Sequence, residues 1–270
     1  MRFDRLARYW ACLLLSLLAG CAATMHQTLK PEDRAQINAV HLHVVIPQEG
    51  FTISAAAPGF AAAGGLIAAM IDASVQQSRQ QELTAKLQPT LDRLLDIDVR
   101  ADWNRLLRTP PALPFALAST EMGSLVPTAD QHSARINRLS QGDAYLRIMV
   151  YYAYDPESRV FGTRSVATLW RRGEQAPVFS APILFHGRPI DPEADVVASM
   201  REQVAIALDQ TMQMVRIGMA MPADAKPPRE KFRVWNQRAQ VAVEGEVVGR
   251  HAGWKLVRMP TSGSFVSAPE

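Results

Sequence analysis

The feature that most constrains this fold is a series of three strand-like runs separated by very short connections. The runs cover residues 144–154, 160–170 and 177–185, and β-branched and aromatic side chains are frequent in them. Parallel neighbours need a crossover of about a dozen residues or more, which these connections do not provide. The sequence therefore predicts an antiparallel meander in the middle of the chain.

Helices and further strands are predicted on both sides of the meander. Before it, residues 40–46 and 51–53 predict a hairpin, and residues 65–88 predict a long helix. After it, Asp191-Pro192 has the residue types of a helix start, so a second long helix should continue to about Met219. The predicted fold class is α+β, with a mixed or antiparallel sheet packed with two long helices and a small C-terminal β unit. Three runs form that last unit: residues 241–248, 254–259 and 264–267.

Three other segments carry local predictions. Asp98 has the side chain of an N-cap and predicts a short helix that contains Trp103. Residues 119–141 are polar and poorly periodic, which predicts mostly irregular structure. Residues 51–71 contain no charged side chain and could cross a bilayer, so a membrane-inserting helix is one interpretation. Because alanine dominates this segment and Pro58-Gly59 interrupts it, we expect it to pack against the sheet instead.

The first residues have the layout of a secretory signal. Residues 9–18 are apolar, too short to span a bilayer comfortably, and are followed by small residues. The basic residues Arg2, Arg5 and Arg8 precede them.

The end of that segment, Leu18-Ala19-Gly20-Cys21, resembles the lipobox of bacterial lipoproteins. The resemblance implies cleavage between Gly20 and Cys21, a diacylglyceryl group on Cys21, and acylation of the new amino terminus. Ala22 stands where lipoproteins retained in the inner membrane carry aspartate, so it implies the periplasmic face of the outer membrane. An ordinary secretory signal that ends at a cysteine is the alternative.

Charge and cysteine content exclude several classes of function. The formal net charge is +3, and the first twenty residues supply three arginines and one aspartate, leaving +1 (3 minus 2). No basic block indicates nucleic acid as a partner. One of the two cysteines, Cys12, lies in the signal, and the other is the lipidation site, so we expect no disulfide and no thiolate metal site.

A second resemblance covers the start of the predicted first helix. Gly64-Gly65-Leu66-Ile67 and Ile71-Asp72-Ala73 resemble a family of uncharacterised proteobacterial outer-membrane lipoproteins. It implies a helix before an antiparallel sheet and a closing β segment, and no activity. The expected organisation has five parts: a signal peptide at 1–20, a tether at 21–38, an α+β domain at 39–221, a proline-rich linker at 222–230 and a C-terminal β segment at 231–270.

Four groups of side chains are candidates for a site, and each has an ordinary structural explanation. His41 and His43 share a strand face, but no further ligand is identifiable, so we expect no metal. Asp96 and Asp98 suggest cation binding less well than helix capping. Tyrosines beside Arg147 suit sugar or partner binding, although strand packing explains them: Tyr145, Tyr151, Tyr152 and Tyr154. The methionines of the second helix suit a partner surface or, better, a buried helix: Met200, Met212, Met214 and Met219.

The sequence contains none of the easily recognised catalytic motifs. It has no phosphate-binding glycine loop, no Gly-x-Ser-x-Gly elbow and no His-Glu-x-x-His pair. We therefore expect a non-enzymatic, lipid-anchored envelope protein with a structural or interaction role and no cofactor. Its expected partners are membrane lipid, through Cys21, and an envelope protein. One alternative is an oligomeric secretion-channel or transport-accessory subunit, similar in broad layout to curli-secretion lipoproteins. The other is an unrecognised envelope hydrolase, which a pocket with convergent histidine or acidic groups would favour.

Overall fold

The computed structural model describes residues 26–53, 88, 92–109, 112–155, 158–222, 224–236 and 239–270. Its helices are α1 (Pro31–Arg34), α2 (Val99–Leu106), α3 (Ala129–Asn137) and α4 (Val196–Ala220). The first six strands are β1 (Ala39–Val45), β2 (Thr52–Ile53), β3 (Ala116–Gly123), β4 (Asp143–Asp155), β5 (Val160–Arg171) and β6 (Phe179–His186). The last four are β7 (Arg229–Asn236), β8 (Ala239–His251), β9 (Trp254–Arg258) and β10 (Phe265–Pro269).

All described strands belong to one mixed sheet with the order β3-β1-β4-β5-β6-β10-β9-β8-β7, and β2 pairs with β4. The antiparallel meander is confirmed, because β4 pairs with β5 and β5 with β6 in antiparallel register. The predicted hairpin is wrong. Both β1 and β2 run parallel to β4 and lie one after the other along the same edge of it. The chain therefore continues in one direction through residues 46–51 instead of folding back.

The C-terminal strands β7 to β10 continue this sheet beyond β6. Strand β10 pairs in parallel with β6, with Phe265 opposite Ile183, and antiparallel with β9. The expected linker at 222–230 packs on the body: Arg258 Nη2 donates a hydrogen bond to the carbonyl of Ala225 at 3.0 Å. The side chain of Ala225 also lies against the main core.

The main core lies between α4, α2 and one face of the sheet. Gly218 lets α4 approach closely, because a Cβ there would lie 3.1 Å from the Phe265 ring and 3.2 Å from that of Phe179. Trp103 of α2 is buried and donates through Nε1 to the carbonyl of Val204 at 3.2 Å. The four methionines singled out above are all buried, as the buried-helix interpretation predicts: Met200, Met212, Met214 and Met219.

The prediction of two long helices is not matched. Within the described residues only α4 is long, and the other predicted helix lies outside them except for Gln88. Helix α4 begins later than expected, because Asp195 caps it by accepting from the backbone N–H groups of Val197 and Ala198. Asp191 instead accepts from the N–H of Glu193 and stabilises the preceding turn.

The expected tether is packed from His26 onward. Gln27 exchanges backbone hydrogen bonds with Ser180, at 2.7 and 3.0 Å, and Leu29 and Ile37 are buried in the core. From residue 54 onward, the uncharged segment 51–71 lies outside the described residues. Among the helices that the structure describes, none is both long and apolar enough to span a membrane.

Candidate functional site

A cleft of about 820 Å³ lies at the β3 end of the sheet, on the face opposite α4. Its floor is formed by side chains of β1, β3 and β4, and α3 closes one side. Helix α3 is held there by a small separate core, in which Ile136 and Leu139 pack with Tyr145 and Trp170. The predicted irregular structure over 119–141 is wrong, since β3 and α3 form these walls.

An irregularity in β3 determines which of its side chains enter the cleft. Val40 pairs with Leu117, whereas the next residue of β1, His41, pairs with Ser119. Ala118 is therefore an extra residue, and it moves Ser119 onto the face that His41 occupies. Without this bulge, strand alternation would turn Ser119 to the opposite face of the sheet.

His41 joins a serine and an aspartate in one hydrogen-bonded chain. Its Nδ1 lies 2.8 Å from Oγ of Ser119, and its Nε2 lies 3.2 Å from Oδ2 of Asp143. The three residues come from β3, β1 and β4, which are adjacent strands. Because a carboxylate accepts hydrogen bonds, the Nε2 nitrogen of a neutral His41 carries the proton, and Nδ1 accepts from the Ser119 hydroxyl.

His43, two positions along the same strand, forms a second and more deeply buried pair. Its Nδ1 lies 2.7 Å from the hydroxyl of Tyr145. Burial lowers the pKa of His43 most strongly; Glu121 opposes this effect, and Arg135 and Arg147 add to it. Burial likewise raises the pKa of Tyr145, so the phenol stays protonated and donates to a neutral imidazole.

Charged side chains surround this pair. Arg135 of α3 forms a two-pronged ion pair with Glu121 of β3. Its guanidinium carbon also lies 5.3 Å from the centre of the Tyr145 ring, and that of Arg147 lies 4.9 Å from the Trp170 ring. The pKa of Glu121 is lowered, mainly by its hydrogen bond from Arg135. The ion pair therefore ties α3 to β3 across the cleft, although its exposure limits its contribution to stability.

The structure brings together some of the residues singled out in the sequence and separates others. His41 and His43 share the cleft face, as predicted. The tyrosines divide: Tyr145 faces the cleft, Tyr151 is exposed, and Tyr152 and Tyr154 belong to the main core. No group of three or more metal-ligating side chains occurs in the part of the chain that the structure describes.

The other predicted site residues lie away from the cleft. Asp98 caps α2 by accepting from the N–H of Ala101 at 2.9 Å, and the carbonyl of Asp96 accepts from Arg201. The predicted lipidation and cleavage residues, Cys21 and Gly20, lie outside the described residues.

The cleft residues on β3 and α3 were not among the predicted site residues. Ser119, Glu121 and Arg135 all fall in the segment that was predicted to be irregular. One signal could have found α3: Thr128 and Gln131 form a reciprocal capping box at its start.

No family model matches this chain, and a search of curated proteins gave no significant match. The evidence for what the cleft does is therefore its own geometry.

Proposed function

We propose that this protein is a lipid-anchored envelope protein, held through Cys21 at the periplasmic face of the outer membrane. The lipobox Leu18-Ala19-Gly20-Cys21 carries the proposal. Several acyl chains on one cysteine give durable anchoring, whereas a single chain binds only marginally. The described part of the chain is already packed at Gln27, whose backbone pairs with Ser180, so the folded body lies within six positions of Cys21.

The proposed role of the body is to bind a partner or ligand through the cleft. The cleft combines polar groups with apolar side chains at its rim, which is typical of a binding site. Leu125, at the rim, is 81% exposed, and the adjacent Val126 is 46% exposed. We expect the occupant to meet Leu125 together with Arg138 and Gln131, which line the same cleft. An envelope protein or a small polar molecule would satisfy this chemistry.

Metabolic labelling with an alkyne fatty acid tests the anchor. The full-length protein should incorporate the label, and Cys21→Ala should lose it. Cys12→Ala is the matched control and should be labelled like the original protein, because Cys12 lies in the part removed with the signal. Equal labelling of Cys21→Ala and the original protein would refute the proposal.

Crosslinking in intact cells tests the interaction role and separates it from the channel alternative. A recurrent partner that is lost with Leu125→Asp would support binding at the cleft rim. A series of crosslinked products that contain only copies of this chain, and that ends at a fixed number of copies, would support the oligomeric secretion-channel subunit instead.

A further inference from the structure

We propose that Ser119, His41 and Asp143 form a nucleophilic site that hydrolyses a carboxylic ester bound in the cleft. This inference goes beyond the proposed anchoring and binding role, and it would replace the expectation of a non-enzymatic protein. It rests on the hydrogen-bonded chain, on the bulge that positions its serine, and on the open volume beside it.

The chain of hydrogen bonds has the arrangement that activates a serine. A serine hydroxyl is a weak nucleophile until an adjacent base accepts its proton, and the base works best when a third group orients it. Here Nδ1 of His41 lies 2.8 Å from the Ser119 oxygen, and Asp143 holds the other ring nitrogen. In the familiar serine-protease arrangement the two ring nitrogens have the opposite partners. Either nitrogen can accept the proton when the other one is bonded to the carboxylate.

Burial and exposure fit the roles of the three residues. Ser119 is exposed and lines the cleft, so a substrate carbonyl can reach its oxygen. The side chain of Asp143 is only 19% exposed, which keeps it as a fixed partner of the ring. All three residues lie on neighbouring strands, and rigid elements hold reacting groups more accurately than loops do.

The bulge is an independent indication of function. Bulges are frequent next to active sites, where they redirect a side chain or end a pairing. The extra residue Ala118 interrupts an otherwise regular parallel ladder at one place, directly before Ser119. Its effect is to place the serine oxygen within hydrogen-bonding distance of His41.

The proposed reaction proceeds in two steps. Oγ of Ser119 bonds to the ester carbonyl carbon while its proton passes to Nδ1 of His41. When the bond between that carbon and the alcohol oxygen breaks, His41 returns the proton to the departing alcohol, which leaves an acyl group on Ser119. A water molecule then attacks this acyl group, with its proton passing through His41 back to Oγ, and the carboxylic acid is released.

Arg138 is the side chain that we assign to the negative charge on the carbonyl oxygen. It lines the same cleft, and its guanidinium has no hydrogen-bond or ion-pair partner among the described residues. A cationic donor of this kind stabilises the oxyanion as it forms. The other arginine of the cleft, Arg135, is already paired with Glu121.

Labelling with a fluorophosphonate tests the site in the full-length protein. Such a probe forms a phosphorus–oxygen bond to an activated serine and releases fluoride, so no substrate needs to be known. We expect the label on Ser119, identified by peptide mass spectrometry, and none on Ser119→Ala. Ser140→Ala is the matched control, because Ser140 lines the same cleft and is outside the hydrogen-bonded chain. His41→Gln should react at least ~100-fold more slowly, the range typical of a lost general base.

A positioning role for Asp143 predicts that Asp143→Asn slows labelling and that Asp143→Glu restores part of the rate. The proposal is overturned if Ser119 in the original protein is unlabelled, or if Ser119→Ala or His41→Gln reacts like the original protein. Thermal unfolding of each variant checks that it is folded. If His41→Gln is unfolded, the labelling of Ser119→Ala, which changes an exposed side chain, tests the proposal by itself. Cys21→Ala should leave labelling of Ser119 unchanged, so failure here is distinguishable from failure of the anchor.

Discussion

Gly123 is the residue that leaves room for the buried histidine of the cleft. A Cβ at this position would lie 2.6 Å from Nε2 of His43. The ring is also held on its other side by the hydroxyl of Tyr145, so it has little freedom to move away. The absence of a side chain at 123, rather than any unusual backbone conformation, is what the site requires.

Gly123→Ala should therefore reduce the free energy of unfolding by about 1–3 kcal/mol, the range for overpacking. Urea denaturation would measure this effect. Gly50→Ala is the control, because nothing lies within 4 Å of a Cβ there, and it should change stability by less than about 0.5 kcal/mol. Equal free energies of unfolding for the two variants would contradict this prediction and show that His43 can move aside without destabilising the protein.

At the residue scale, strand alternation was enough to predict that His41 and His43 face the same side. It could not predict that Ser119 joins them, since the bulge at Ala118 depends on pairing between segments 78 positions apart. The four tyrosines divide between two faces by the same alternation. Aromatic content alone had grouped them, and the grouping was too coarse.

The side chain of Gln48 bonds to β4 at the gap between β1 and β2, where β4 has no neighbouring strand on that side among the described residues. It lies in the gap between β1 and β2, where no backbone ladder bonds reach Tyr152 of β4. Its Nε2 donates to the carbonyl of Tyr152, and its Oε1 accepts from the N–H of Tyr152, both at 2.8 Å. The side-chain amide thus takes the place of a strand peptide group.

Gln48→Leu should lower the free energy of unfolding by about 1–3 kcal/mol, because both backbone groups of buried Tyr152 lose their partner. Gln48→Glu keeps an acceptor and loses the donor, so its free energy of unfolding should lie between those of the original protein and Gln48→Leu. Gln141→Leu, at an exposed turn, provides the control. The free energies can be measured by guanidinium denaturation. Equal midpoints for Gln48→Leu and Gln141→Leu would contradict this prediction.

At the scale of elements, local contacts were predictable and distant pairings were not. The meander follows from its short connections, and Asp98 caps α2 as predicted. The parallel pairing of β1 with both β3 and β4 joins segments far apart in the chain, which periodicity does not encode. The start of α4 was misplaced because two aspartates, Asp191 and Asp195, both have the residue type of a cap.

Partly buried histidines give the whole molecule a dependence on pH. Burial is the largest cause of the lowered pKa of His26, His43 and His132. Arg258 adds to the effect at His26, and Arg135 and Arg147 add to it at the other two. Below a pH of about 6.5 the unfolded chain binds more protons than the folded one, so protonation favours unfolding.

The free energy of unfolding should therefore be greater at pH 7 than at pH 5. Carboxylates titrate mostly below this window, so the histidines dominate the difference. Urea titrations at the two pH values would measure it. The variant His132→Gln, which removes one of the contributing groups, should show a smaller difference. A stability that is unchanged or higher at pH 5 would contradict the prediction.

The direction of the strands has a consequence for how the molecule would work at a surface. Strands β1, β3, β4, β6 and β10 all run in the same direction. Their first residues therefore lie side by side at one end of the strands. The described chain begins beside the start of β6, where Gln27 pairs with Ser180, and Asp143 begins β4 at that same end of the strands. His26 lies five positions after Cys21, so the chain between them can span at most ~18 Å. With the proposed lipid on Cys21, the cleft would lie close to the membrane surface, and the proposed ligand would be met within a thin layer at that surface.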